Sequence, residues 1–171
     1  MKYHLITDTH FNHVPQMFDY CGRPENYQEL LANSMLSIPE DDVLIHLGDI
    51  CIGKDSEVHE RFIQPLKCKK WLIRGNHDNK SDNWYLTHGW DFVADAILLR
   101  ILGVQTLLTH IPHPDTGYGI NIHGHFHNQD HRRHEPELRA IKNPRQYLLA
   151  VEFTNYKAVD AENWISEHVL K

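Results

Sequence analysis

The 171-residue chain is short of the features that mark several protein classes. It has three cysteines, Cys21, Cys51 and Cys68, and no C-x-x-C unit. An odd, scattered set excludes a disulfide framework and a thiolate zinc knuckle, and buried free thiols are expected. No apolar run approaches the roughly 18 to 20 residues that span a bilayer; stretches such as 96–99 are typical of the longest. Residues 1–10 lack the basic start, apolar middle and small-residue cleavage site of a secretory signal, so a cytoplasmic protein with no membrane association is expected. Basic charge is also in deficit, with 17 Lys and Arg against 23 Asp and Glu and a net charge of −6. That balance argues against broad electrostatic capture of nucleic acid, so an anionic substrate must find its positive charge locally. Repeats, low-complexity tracts and Pro/Gly-rich linkers are missing too, and residues 1–171 are read as a single domain.

Histidine is what the chain has in abundance, at 15 residues. Imidazole is the commonest metal ligand, although abundance alone proves nothing. Strand-like apolar runs occur at 3–6, 43–47, 71–73, 96–102, 104–108 and 147–153. Between several of them lie helical patterns. Asn26 and Glu29 are spaced as a capping box before Tyr27, Leu30, Leu31, Met35 and Ile38, with Pro39 as the stop. Ser56 is placed to cap a helix through Val58, Phe62 and Leu66, and Asp160 precedes a helix with Trp164, Ile165 and Val169 as its apolar stripe. Such alternation argues for an α/β layered domain.

Polar residues cluster where the strands end. The run 3–6 leads into Asp8-Thr9-His10, 43–47 into Gly48-Asp49, 71–73 into Gly75-Asn76-His77-Asp78, and 104–108 into Thr109-His110. In α/β sheets ligands bind beyond the carboxyl ends of strands, so residues far apart in sequence can converge there. A further element, Gly124-His125-Phe126-His127, places two histidines at a spacing that no helix face accommodates but an irregular loop does.

Taken in order, D-x-H, G-D, G-N-H-D, an isolated His and G-H-x-H resemble the signature of the calcineurin-like metallophosphoesterases, over Asp8 to His127. The segment from Asp8 to His13 and the later Arg23-Pro24 are most similar to the small bacterial and phage members. The resemblance implies two mixed β-sheets packed face to face with flanking helices, a four-layer α/β/β/α sandwich. It implies one metal held by Asp8, His10, Asp49 and His127, a second held by Asp49, Asn76, His110 and His125, and Asp49 as the bridge. This mixed nitrogen and oxygen set suits two divalent transition-metal ions, manganese first, with iron, zinc, cobalt or nickel as alternatives. Two such cations outweigh the two carboxylates and one shared hydroxide by about one positive charge, which attracts a phosphate ester. The implied reaction is attack by that hydroxide, with Asp49 and His77 as the catalytic residues and His77 protonating the leaving oxygen.

One departure is informative. Protein serine/threonine phosphatases of the superfamily read G-D-x-x-D-R-G, whereas this chain has Gly48-Asp49-Ile50-Cys51-Ile52-Gly53. The missing acid and arginine argue against a phosphoprotein phosphatase and leave Asp55 or Asp78 to orient His77. His13, Arg23 and Arg74 are candidate substrate contacts, with ordinary salt bridges or solvent contact as the competing reading. Residues 128–146 carry Arg132, Arg133, Arg139, Lys142 and Arg145 against three acids, either a charged surface loop or a border that selects a nucleotide. The expected activity is metal-dependent hydrolysis of a small phosphodiester or phosphomonoester. The alternatives are a nuclease of the same superfamily, which needs a basic groove with stacking residues, and a non-catalytic metal-binding scaffold.

Overall fold

The computed structural model describes residues 1–114, 117, 119–128 and 144–171. Branched and aromatic side chains suit a pleated, buried surface, and the first three apolar runs form β1 (Tyr3–Ile6), β2 (Val43–His46) and β3 (Lys69–Ile73). These are parallel. β4 (Phe92–Ala94) extends them in parallel and β9 (Val159–Asp160) closes the other edge antiparallel, in the order β4-β3-β2-β1-β9. The second sheet runs β5-β6-β7-β8: β5 (Ala96–Ile101) is antiparallel to β6 (Val104–Thr109), and β7 (Ile120–His123) and β8 (Gln146–Leu148) follow in parallel.

Alternation along the strands divides the core. Ile6, Leu44 and Leu72 leave the first sheet on one face and pack with Tyr27, Leu31, Met35, Ile63 and Tyr85. Leu5, Val43, Ile45 and Ile73 leave on the other face and meet Ile97, Leu108, Ile120 and Ile122 between the sheets. The helices are α1 (Gln16–Cys21), α2 (Tyr27–Leu36), α3 (Asp55–Val58), which continues as a π-helical stretch His59–Ile63, α4 (Asp82–Thr87) and α5 (Ala161–His168). Two mixed sheets with flanking helices are thus the architecture.

Several local expectations are corrected. The expected strand 147–153 stops at Leu148. Beyond it the chain turns, with Asn155 and Tyr156 at positive φ and the Tyr156 amide donating to the Val151 carbonyl at 2.8 Å. Asn26 stands at the N-cap of α2 but its side chain caps nothing, and Ser56 lies inside α3, whose N-cap is Lys54. Asp160 does cap α5, accepting from the Asn163 amide at 3.0 Å. All three cysteines are free and buried, and burial pushes the Cys51 thiol up to about 12. Among the described residues no helix is long and apolar enough to cross a membrane. Most of the basic stretch, 129–143, lies outside the described residues, and so do both readings of it, charged surface loop and substrate-selecting border.

Candidate metal centre

Every strand named as a carrier of polar residues ends on the same side of the molecule. β1 delivers Asp8 and His10, β2 Asp49, β3 Asn76 and His77, β6 His110, and β7 His125 and His127. Backbone hydrogen bonds stitch the loops together: the Asp8 amide donates to Gly48 at 2.9 Å, the His10 amide to Asp49 at 3.1 Å, and the Gly124 amide to His110 at 3.0 Å. Such closeness requires glycine. Gly48 has φ of 95°, and a Cβ there would lie 2.5 Å from the Gly75 nitrogen, while one on Gly124 would strike Thr7 Oγ1 and the Asp8 carboxylate. Asp8, His10, Asp49, His125 and His127 all take left-handed backbone angles, with φ between 44° and 75°.

Beneath these loops His46 fixes two of them. Its Nδ1 accepts from the Gly48 amide at 3.1 Å, so Nε2 carries the proton and donates to Thr9 Oγ1 at 2.9 Å, which donates to the Ile50 carbonyl. Burial pushes His46 down to about 3. Below its unfolded pKa near 6.5 the unfolded chain takes up a proton that the native ring refuses. The stability contributed by the neutral ring is therefore present above pH 6.5 and is lost as pH falls toward 3, at up to about 1.4 kcal/mol per unit. In urea unfolding between pH 7 and 4, the stability gap between wild type and His46→Leu is expected to narrow as pH falls. A constant gap would show that the native ring is protonated.

Among the described residues three groups of side chains are metal-competent; one of them, Cys21, His127 and Glu152, lies behind the cleft, and the other two line up along it. Asp8, His10 and His127 each offer one ligand atom within 4.8 Å of the others, as do Asp49, His110 and His125. In the first, Asp8 Oδ1 lies 3.8 Å from His10 Nε2 and 3.7 Å from His127 Nε2. In the second, Asn76 Oδ1 lies 2.9 Å from both His110 Nε2 and His125 Nδ1. Asp49 stands between them, its Oδ2 3.3 Å from His110 Nε2 and 3.5 Å from His10 Nε2. The Leu47 carbonyl takes the His110 Nδ1 proton at 2.8 Å and so turns Nε2 toward the carboxylate.

The electrostatics favour cations. Burial opposes charge on the rings, and it holds His10 well below the ordinary histidine range. At His110 burial is outweighed by the hydrogen bond to Asp49 and the charges of Asp8 and Asp49, which raise it to about 9. At His127 burial is outweighed by the Asp8 charge together with Cys21 and Glu152, which raise it to about 10. Asp49 itself, despite burial, is held below the usual carboxylate range by His110 and His10. Two buried atoms, Asp8 Oδ1 and His10 Nε2, have no hydrogen-bond partner although each faces the other across 3.8 Å. Buried donors and acceptors are normally satisfied, and a carboxylate oxygen and an imidazole nitrogen left in this way fit a transition-metal ion.

The other expected site residues divide. His77 lines the same cleft, about 260 Å³ in volume, with His10, His13, Met17, Asp49, Asn76, His125 and His127. Its amide donates to Asp49 Oδ1 at 2.9 Å, and its half-exposed ring brings Nε2 to 3.9 Å from Asp49 Oδ2. His13 is in the cleft with Nδ1 3.2 Å from His10 Nδ1. Arg23 and Arg74 are both engaged by acids. The Arg23 side chain is 0% exposed and paired with Glu152 at 2.7 Å, and Arg74 is engaged by Asp95 at 2.6 Å and Asp82 at 3.0 Å, outside the cleft lining. Asp78 is engaged by backbone amides. Its carboxylate accepts the amides of Asp49, Ile50 and Gly75, at 2.7, 3.1 and 2.8 Å, and so welds two of the loops. Asp55 faces Lys80 at 3.8 Å.

Comparison with known proteins agrees with this geometry. The family model described as calcineurin-like phosphoesterase matches residues 1–169. An uncharacterised protein of Methanocaldococcus jannaschii is 30% identical over 169 residues, covering 94% of this chain and 88% of its own. A crystal structure of a protein of unknown function from Aquifex aeolicus overlays with a TM-score of 0.73 at 24% identity, across 98% of this chain and 99% of that one, which shows the shared fold. With its polar loops gathered at one edge of two mixed sheets and a family match along nearly its whole length, the chain belongs to the calcineurin-like phosphoesterase family.

Proposed function

We propose that the chain is a binuclear phosphoesterase acting on a small phosphodiester or phosphomonoester. One observation carries this reading: the two metal-competent groups along the cleft meet at a single carboxylate, Asp49, whose Oδ2 is within 3.5 Å of a ring nitrogen from each side. Asp8, His10, Asp49 and His127 would hold one ion, and Asp49, Asn76, His110 and His125 the other. The mixed donor set suits divalent transition-metal ions, of which manganese is the first proposed and iron, zinc, cobalt or nickel the alternatives. Two divalent ions in such a site supply an acidified water and a clamp for phosphoryl oxygens. His77, beside Asp49 at the exposed side of the cleft, holds the proton for the leaving oxygen. As the described residues line it, the cleft is small and open, a shape that grips the phosphoryl group and leaves the rest of the ester in solvent, which predicts broad specificity in vitro.

Elemental analysis after manganese loading and desalting is expected to give two ions per chain. The loaded protein is expected to hydrolyse bis-p-nitrophenyl phosphate or p-nitrophenyl phosphate, and chelation to stop it. One ion or fewer would overturn the binuclear reading, and two ions without hydrolysis of any phosphate ester would leave the scaffold alternative in its place.

A further inference from the structure

Behind the first group lies a buried ion pair between Arg23, of the Arg23-Pro24 segment, and Glu152, which belongs to no motif. Arg23, from the segment between α1 and α2, donates through Nε and Nη2 to Glu152 Oε1, at 2.8 and 2.7 Å. The same guanidinium donates through Nη1 to the Thr9 carbonyl at 3.0 Å and through Nη2 to the Asp8 carbonyl at 2.8 Å. Tyr27 lies under it, ring centre 5.1 Å from the guanidinium carbon, and its hydroxyl donates to the His10 carbonyl at 2.8 Å. Three successive carbonyls of the left-handed Asp8–His10 loop are thus gripped from one side. Glu152 continues outward: its Oε1 lies 3.4 Å from His127 Nδ1, Arg23 Nη2 lies 3.2 Å from that nitrogen but spends its two hydrogens on the Asp8 carbonyl and Glu152, and His127 Nε2 points at Asp8 Oδ1 across 3.7 Å. Cys21 offers its sulfur to the same corner, but a third metal there would sit against a resident guanidinium, which already supplies the positive charge.

We propose that Glu152, fixed by Arg23, is a positioning residue for the first metal position: it accepts the His127 Nδ1 proton and thereby presents Nε2 to the ion shared with Asp8 and His10. The pair acts through other groups and touches no substrate. A metal-ligating histidine commonly gives its second N–H to a carboxylate, which fixes the tautomer and the ring orientation and raises the basicity of the ligating nitrogen. Here one arginine ties that carboxylate to the backbone of the loop carrying the other two ligands, so Glu152 and Arg23 set the distance between two loops more than a hundred residues apart in sequence. The proposal rests on the binuclear reading above.

The test uses the intact protein and metal ions alone. In Zn²⁺-loaded wild type, long-range ¹H–¹⁵N spectra of the histidine rings are expected to show His127 protonated at Nδ1 and ligated through Nε2. A proton on Nε2 or ligation through Nδ1 would overturn the proposal, and this measurement needs no variant to fold. Chelator competition with Mn²⁺ is expected to show Glu152→Gln weakening one of the two ions roughly 10- to 100-fold, the usual cost of losing such a partner, with the other ion little changed. His127→Ala should weaken that same ion. Wild type with two ions, and Glu152→Gln with both affinities unchanged, would overturn the positioning role and leave the binuclear reading standing. Wild type that binds no ion would overturn the binuclear reading and this one with it.

Discussion

Asp49→Ala is expected to empty both metal positions and reduce phosphate-ester hydrolysis to the buffer blank. His10→Ala, by contrast, should weaken mainly the ion held with Asp8 and His127. The difference follows from the placement of Asp49 between the two groups, with His110 Nε2 at 3.3 Å on one side and His10 Nε2 at 3.5 Å on the other. Removing one carboxylate leaves two buried sets of imidazoles with a single carboxylate to offset two divalent charges, and neither set then balances an ion. Asp49 also accepts the His77 amide at 2.9 Å, so the alanine variant loosens a second loop. Asp49→Asn keeps an acceptor for that amide and loses only the charge; it should empty both positions as well. Metal content by elemental analysis decides the matter, and an asparagine variant that keeps two ions would remove Asp49 from the bridging role.

His77→Ala should keep both ions and lose hydrolysis selectively. If His77 protonates the leaving oxygen, an alkyl phosphate ester should be cleaved roughly 10²- to 10⁴-fold more slowly, the range typical of general acid catalysis. A p-nitrophenyl ester, whose leaving group needs little protonation, should be affected far less. The ring is suited to the task by position: it is 42% exposed, at the open side of the cleft, yet anchored through its amide to Asp49. A group that merely bound phosphate would slow both esters alike, because the same phosphoryl oxygens are held in each. Equal losses, with both ions retained, would make His77 a substrate clamp.

The candidate site is more legible in the sequence than the short strands around it. Asp8, His10, Asp49, Asn76, His110, His125 and His127 stand in short blocks beside glycines at strand ends, and parallel pairing of β1, β2 and β3 brings three of those blocks together. The strands that escape notice are the short or polar ones. β4 has three residues and β9 two, too few for a period to show. β7 reads Ile-Asn-Ile-His yet is buried throughout, because Asn121 donates to Leu107 and Thr109 at 3.0 and 2.9 Å, and so satisfies the polarity that disguises the strand. Glu152 stands in no motif, and the hold of Asp78, a candidate for orienting His77, on the amides of two loops is equally hidden, for a different reason. Each acts on another group's backbone or ring, and nothing in spacing marks a carboxylate 129 residues from the arginine that holds it. For Arg23 and Arg74 the sequence leaves substrate contact and an ordinary salt bridge both open, because the acids that claim them become neighbours only on folding.

The left-handed turns at Asp8, His10, Asp49, His125 and His127 have a consequence for how such a chain changes over time. A non-glycine residue there holds a conformation costing on the order of 1 kcal/mol, although aspartate and histidine tolerate it better than most. Glycine at any of these five positions would relax the backbone and delete an ion's donor in the same step. Relief of backbone strain and loss of a proposed ion donor are therefore one and the same substitution at these positions. A lineage released from the need to hydrolyse phosphate esters would drift first at this rim, keeping its sheets and both cores intact while the donors vanish one by one.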